Sequence, residues 1–220
     1  MSTVCVQLWE NGPYWATCNV GAAKPEEHGY YFWWGDAVGY VRNAANDGWI
    51  SAKDGSSHGF NGCPTHGKGN SQLQSDGYLD STGNLVAAHD AATAHLGAPW
   101  RMPTNAEFSA LITNCTITWT TRNGVAGRLA TGRGAFASKS IFLPAAGYGN
   151  GSYLLGRGSD GDYWSSTPAS CHAWYLYFFP GYCSRSYYHR YAGQSVRPVR
   201  GFAKCQKTED KDATDVGQGE

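Results

Sequence analysis

Residues 161–202 read GDYWSSTPASCHAWYLYFFPGYCSRSYYHRYAGQSVRPVRGF, and the fold turns on how this stretch divides. Between Ser170 and Tyr191 it carries six Tyr, two His, two Cys and two Arg, with no Asp, Glu, Lys, Gln, Met or Asn. Solvent-facing surface is ordinarily rich in Lys, Glu and Asp, which hydrate readily. A run that replaces them with Tyr has the composition of a contact surface, because Tyr offers large amphipathic area with few rotors to freeze. Trp174, Leu176 and Phe178 alternate with Tyr175, Tyr177 and Phe179, the period of a strand with two unlike faces. The alternation predicts one face entering the core and the other displaying its rings. The plainer alternative packs Tyr175, Tyr177 and Phe179 beneath a neighbouring loop, where each tyrosine hydroxyl would need a partner.

On either side stand pieces that read as frame, YWSS (163–166) and GQSVRPVR (193–200). Further out, residues 4–35 read as a strand-rich opening. Residues 36–84 are rich in Gly, Ser, Asn and Asp with little periodicity, which predicts a long irregular insertion, either packed by its own Trp49 and Phe60 or mobile. Leu85 to Leu96 is Ala-rich and predicts a helix stopped by Gly97 and Pro99. Thr104 and Glu107 form a capping-box pattern opening a second helix to about Asn114. Thr116 to Arg122 reads as a strand turning at Asn123-Gly124. Ser140 to Tyr148 reads as a short buried strand before a Gly-rich loop, and Ser195 to Arg200 as the closing strand. Residues 204–220 carry almost no apolar content and predict a disordered tail.

The 220 residues have zero formal net charge and only 15% charged side chains, so electrostatics give no case for nucleic acid or a membrane surface. No apolar run approaches the about 20 residues that span a bilayer. The first residues, MSTVCVQLWENG, lack the basic start and apolar core of a secretory signal. With 29 Gly and 14% aromatics, the composition suits short strands, many turns and a core of large rings. The seven Cys (5, 18, 63, 115, 171, 183 and 205) show no CxxC or zinc-like spacing, and free thiols are the simplest reading, with a Cys171–Cys183 bridge left open.

Several blocks together carry a resemblance: WATCNVGA (15–22), GYYFWWG (29–35), DAATAHLGAPWRMPT (90–104), SIFLPAAGY (140–148), YWSSTP (163–168) and SVRPVR (195–200). In this order they resemble the Fibrobacter succinogenes major paralogous domain, a branch of the C-type lectin fold related to formylglycine-generating-enzyme-like domains. The last third is similar to the variable proteins of diversity-generating retroelements. In those systems adenine-directed copying randomises Asn codons to NN-pyrimidine, which cannot encode Lys, Glu, Gln, Met or Trp. From Ser170 to Tyr191 only Trp174 falls outside the permitted set.

The resemblance implies an α+β, C-type lectin fold over 1–203, with short mixed strands, two helices and much irregular loop. It implies that Trp174, Leu176, Phe178, Gly181, Arg190 and Gly193 hold the backbone of a variable ligand-binding segment, 161–202. The displayed set would be Cys171, His172, Tyr175, Tyr177, Phe179, Tyr182, Ser184, Ser186, Tyr187, Tyr188, His189 and Tyr191, with Ser170, Cys183, Arg185 and Ala192 unassigned. The implied function is non-enzymatic binding of a protein or other macromolecule, on a phage or prophage particle or else a bacterial cell surface. Nucleic-acid binding and membrane insertion are not expected.

Three rivals stand beside it. An enzyme would need the copper-binding cysteine pair of formylglycine-generating enzymes, and no counterpart motif occurs; no catalytic or metal-ligating residue is assigned. The scattered His residues show no ligand spacing such as HExxH. A calcium-dependent sugar lectin would carry EPN- or QPD-type and WND motifs, which are missing; no cofactor is assigned, and a structural calcium ion in the Asp- and Asn-rich loop is left open. A fixed structural or oligomer interface would suit the Tyr cluster equally well.

Overall fold

Between Val4 and Gly201, the residues that the computed structural model describes, the chain is a mixed α/β protein of short strands and few helices. The 204–220 stretch lies outside them. Strand β1 (Cys5–Gln7) pairs antiparallel with β2 (Tyr14–Ala16). The 36–84 stretch is less irregular than its composition predicts. It holds β3 (Tyr40–Arg42), β4 (Trp49–Ser51) and β5 (Ser57–His58) in one small sheet, then helix α1 (Asn70–Ser75). Trp49 and Phe60 are buried and cluster with Tyr31, Tyr40 and Ala146, so the stretch is packed by its own rings.

Helix α2 (Ala91–Leu96) fills only the second half of the Ala-rich run. Asp90 decides where it starts: its carboxylate caps the Thr93 amide and also accepts from the Met102 amide, so Asp90 cannot lie inside the helix. Strand β6 (Trp100–Arg101) leads into α3 (Asn105–Asn114), where Thr104 and Glu107 form the expected capping box. Strands β7 (Thr116–Arg122) and β8 (Val125–Thr131) form the expected hairpin, with Asn123 and Gly124 both at positive φ, 48° and 82°. Strand β9 (Ser140–Pro144) completes that sheet. The Gly-rich segment beyond it is not a plain loop, since β10 (Tyr148–Asn150) and β11 (Tyr153–Leu155) pair there.

Strands β12 (Gly161–Ala169), β13 (His172–Phe179) and β14 (Tyr182–His189) form one antiparallel sheet. The closing strand β15 is shorter than expected, Val199–Arg200, and lies between β2 and β6. Among the described residues there are three α-helices where the sequence predicts two, α1 being the addition. The sheets are small and none closes into a barrel. No described helix is long and apolar enough to cross a membrane.

Buried Arg197 ties the ends together. It donates to Asn19 Oδ1 and to the carbonyls of Ala16, Thr17 and Phe142, which supplies acceptors for a cation that is otherwise out of water. Cys5 is disulfide-bonded, which corrects the expectation of free thiols throughout. Cys171 and Cys183 are both free, so the bridge across the aromatic segment does not form.

Candidate ligand-binding face

The β12–β13–β14 sheet is made of two tight hairpins. Ser170-Cys171 joins the first pair, and Pro180-Gly181 the second, with Gly181 at φ 84°, where a side chain would be strained. Register then fixes which side chains share a face. Tyr175 stands opposite Trp164 and Ser186, Tyr177 opposite Asp162 and Ser184, Phe179 opposite Tyr182, and Ala173 opposite Tyr188. These residues form the tyrosine face. The other face carries Tyr163, Leu176 and Phe178, buried against Trp15, Phe108 and Leu143, and continues through Trp174, Arg185 and Tyr187.

The expected frame residues divide. Leu176 and Phe178 are core. Gly193 is required because a Cβ there would stand 2.3 Å from the Phe60 ring. Trp174 is not core: it is half-buried, edge-on to Tyr187, with the Arg185 guanidinium over its ring. Tyr175 was expected to be displayed and is instead 7% exposed, packed with Trp164, Phe32 and Val196. Exposure therefore runs diagonally across the hairpin, because one end of each face is covered by the body of the protein.

The remaining expected residues fall into two groups. On the tyrosine face the rings continue outward from Tyr175 as a ladder: Tyr175–Tyr177 at 5.9 Å, Tyr177–Phe179 at 5.6 Å, and Phe179 stacked on Tyr182 at 5.1 Å. Tyr182 is 46% exposed, and Ser184 and Ser186 lie half-buried beside the ladder. Tyr188 leans on Tyr175 and on Tyr148 from β10, a contact that sequence reading missed. At the opposite end of the hairpin, Cys171, His172, His189 and Tyr191 gather with His66. Cys171 Sγ lies 3.2 Å from His172 Nδ1, and His189 stacks on Tyr191 at 5.1 Å. The His172 and His66 rings stand 4.6 and 5.5 Å from that of His189. Burial, then the neighbouring His189, holds His66 and His172 below the usual imidazole range. Tyr187, 57% exposed, faces out between them and Trp174. The expected set is thus two surfaces.

Guanidiniums hold the hairpin from outside, and two of them grip its main chain. Arg190, fully buried over the Trp34 ring, donates to the Ser170 and His172 carbonyls of the first turn and to the Thr65 and Lys68 carbonyls. Arg128 Nη2 donates to Phe179 and Tyr182 carbonyls at the second turn, at 2.7 and 3.0 Å. Arg185 reaches Asn105 Oδ1 of α3 from the edge strand, at 3.0 Å. Both turns are therefore fixed through carbonyl oxygens that every residue type possesses. Among the described residues, no group of three His, Cys, Asp or Glu is placed to hold a metal ion.

Asp162 and His66 were also missed. Asp162 was legible as the single acidic residue of 161–202. His66 had no local signal, since it comes from the 36–84 stretch. No protein-family model matches the chain, and neither a curated protein nor a solved structure does.

Proposed function

We propose that this chain is a non-enzymatic binding protein of C-type lectin fold, diversified by a retroelement, whose tyrosine face engages a protein or other macromolecule. The observation that carries the reading is the way both turns of the β12–β13–β14 hairpin are held. Arg190 and Arg128 grip main-chain carbonyls, so the backbone keeps its path whichever side chains the outer strands carry. A diversified surface requires that separation of scaffold from display. The candidate variable positions are Tyr177, Phe179, Tyr182, Ser184, Ser186 and Tyr188, with Cys171, His172, Tyr187, His189 and Tyr191 as a second patch. Tyr175, being buried, serves the scaffold. The codon restriction from Ser170 to Tyr191 agrees with this origin, and Trp174 stands as a fixed codon. The same resemblance puts the protein on a phage or prophage particle, or else on a bacterial surface.

The test is to sequence the DNA around the gene. A reverse transcriptase and a near-copy of the region encoding residues 161–202, differing only at adenines, are expected. A neighbourhood with neither would overturn diversification and leave a fixed interface.

A further inference from the structure

Asp162 is 3% exposed, shares the tyrosine face opposite Tyr177, and leaves its Oδ2 without a hydrogen-bond partner. A buried carboxylate without a partner is unfavourable, and such groups call for an explanation. Directly opposed residues of an antiparallel pair hold their Cβ atoms about 5 Å apart, so the Tyr177 ring is its immediate neighbour. Asp160 adds a second carboxylate, and both act on Tyr177. The charge of Asp162 also reaches Tyr175 and Tyr188. The guanidiniums that touch the hairpin are committed elsewhere: Arg128 and Arg190 to carbonyls, Arg185 to Asn105. Aromatic faces attract cations, and a carboxyl that can ionise beside them strengthens that preference.

We propose that the tyrosine face recognises a cationic lysine or arginine side chain presented by a protein partner. The half-buried rings of Tyr177 and Tyr188 border the cation, and Asp162 and Asp160 are its counter-charges. This inference rests on the tyrosine face being the binding surface. Burial, then repulsion by Asp160, lifts Asp162 to about 8, so its carboxyl is neutral at neutral pH in the free protein. The other groups around it are the phenols of Tyr31, Tyr163, Tyr175, Tyr177 and Tyr188, all raised above their ordinary range, chiefly by burial. A cation seated beside Asp162 favours its ionised form, so binding releases a proton and tightens as pH rises from about 6 to about 9.

The test titrates the whole protein with Nα-acetyl-arginine amide, Nα-acetyl-lysine amide and the uncharged Nα-acetyl-norleucine amide, following tyrosine-ring NMR signals. The charged probes are expected to shift Tyr177 and Tyr188 saturably, more strongly at higher pH, and norleucine amide is not. Asp162→Asn should weaken the charged probes at least about tenfold. Tyr177→Ser, which leaves Asp162 in place, should weaken them too. An equal response to norleucine amide, no response, or unchanged binding by Asp162→Asn overturns the proposal. Silent probes beside an adenine-variant repeat in the genome defeat this inference alone. Binding without such a repeat defeats diversification alone.

Discussion

The two faces of the β12–β13–β14 sheet are built from alternate residues of the same strands, yet they answer to different constraints. Tyr163, Leu176 and Phe178 are at most 1% exposed and lock the sheet against Trp15 and α3. Tyr177 and Phe179, each one residue away along the chain, meet one another and Tyr182 ring to ring on the opposite face. Period-2 alternation separates the faces, but it does not say how far the body of the protein covers each one. The difference teaches that a surface can be free to vary only where its backbone is fixed by something other than its side chains. Here Arg190 and Arg128 supply that fixing.

The largest way to break the comparison is Arg190→Met, which would leave the Ser170, His172, Thr65 and Lys68 carbonyls without their donor. Urea denaturation should show a loss of at least about 3 kcal/mol. A loss under about 1 kcal/mol would mean that the turn does not depend on this contact. Next is the pair Phe178→Ala and Phe179→Ala, adjacent residues on opposite faces. The first should lose about 3–5 kcal/mol and the second under about 1 kcal/mol. A third comparison inverts the sequence expectation. Tyr175→Ala should be the more destabilising, by about 3 kcal/mol, and Trp174→Ala should lose only about 1–2 kcal/mol.

Asp162 sets its own pH window. Its folded value, about 8, lies above the ordinary 3.8, so between these the folded state holds a proton that the unfolded state has lost. Stability from this group is therefore full below about 4, falls as pH rises, and levels off above about 8. Asp162→Asn should flatten the slope and, in urea denaturation at pH about 8.5, raise stability by about 1–3 kcal/mol. A variant with the wild-type slope would show that another group carries it.

Much of the frame was legible because it rests on local rules. The Thr104–Glu107 capping box, the Asn123-Gly124 turn and the alternation of β13 are each written within a few residues. What the sequence hid depends on distant partners. Tyr175 is buried in a core cluster whose members Phe32 and Val196 come from other parts of the chain. Helix α3 clusters its Phe108 ring with Leu176 and Phe178 and reaches the Trp174 end of that face through the Arg185–Asn105 hydrogen bond, which leaves Trp174 half-buried. The small β3–β4–β5 sheet escaped notice because its strands have two or three residues each, too few for a period to show. The second patch was invisible as a unit, since His66 joins it from the far side of the 36–84 stretch.

The most direct measurement compares two libraries under one protease-resistance sort. One randomises Tyr177, Phe179, Tyr182, Ser184 and Ser186 with NN-pyrimidine codons, and the other randomises Tyr163, Leu176 and Phe178 in the same way. If the tyrosine face is display on a fixed backbone, most members of the first library resist protease as the parent does, and few of the second do. Equal surviving fractions, or a collapse of the first library, would contradict the account.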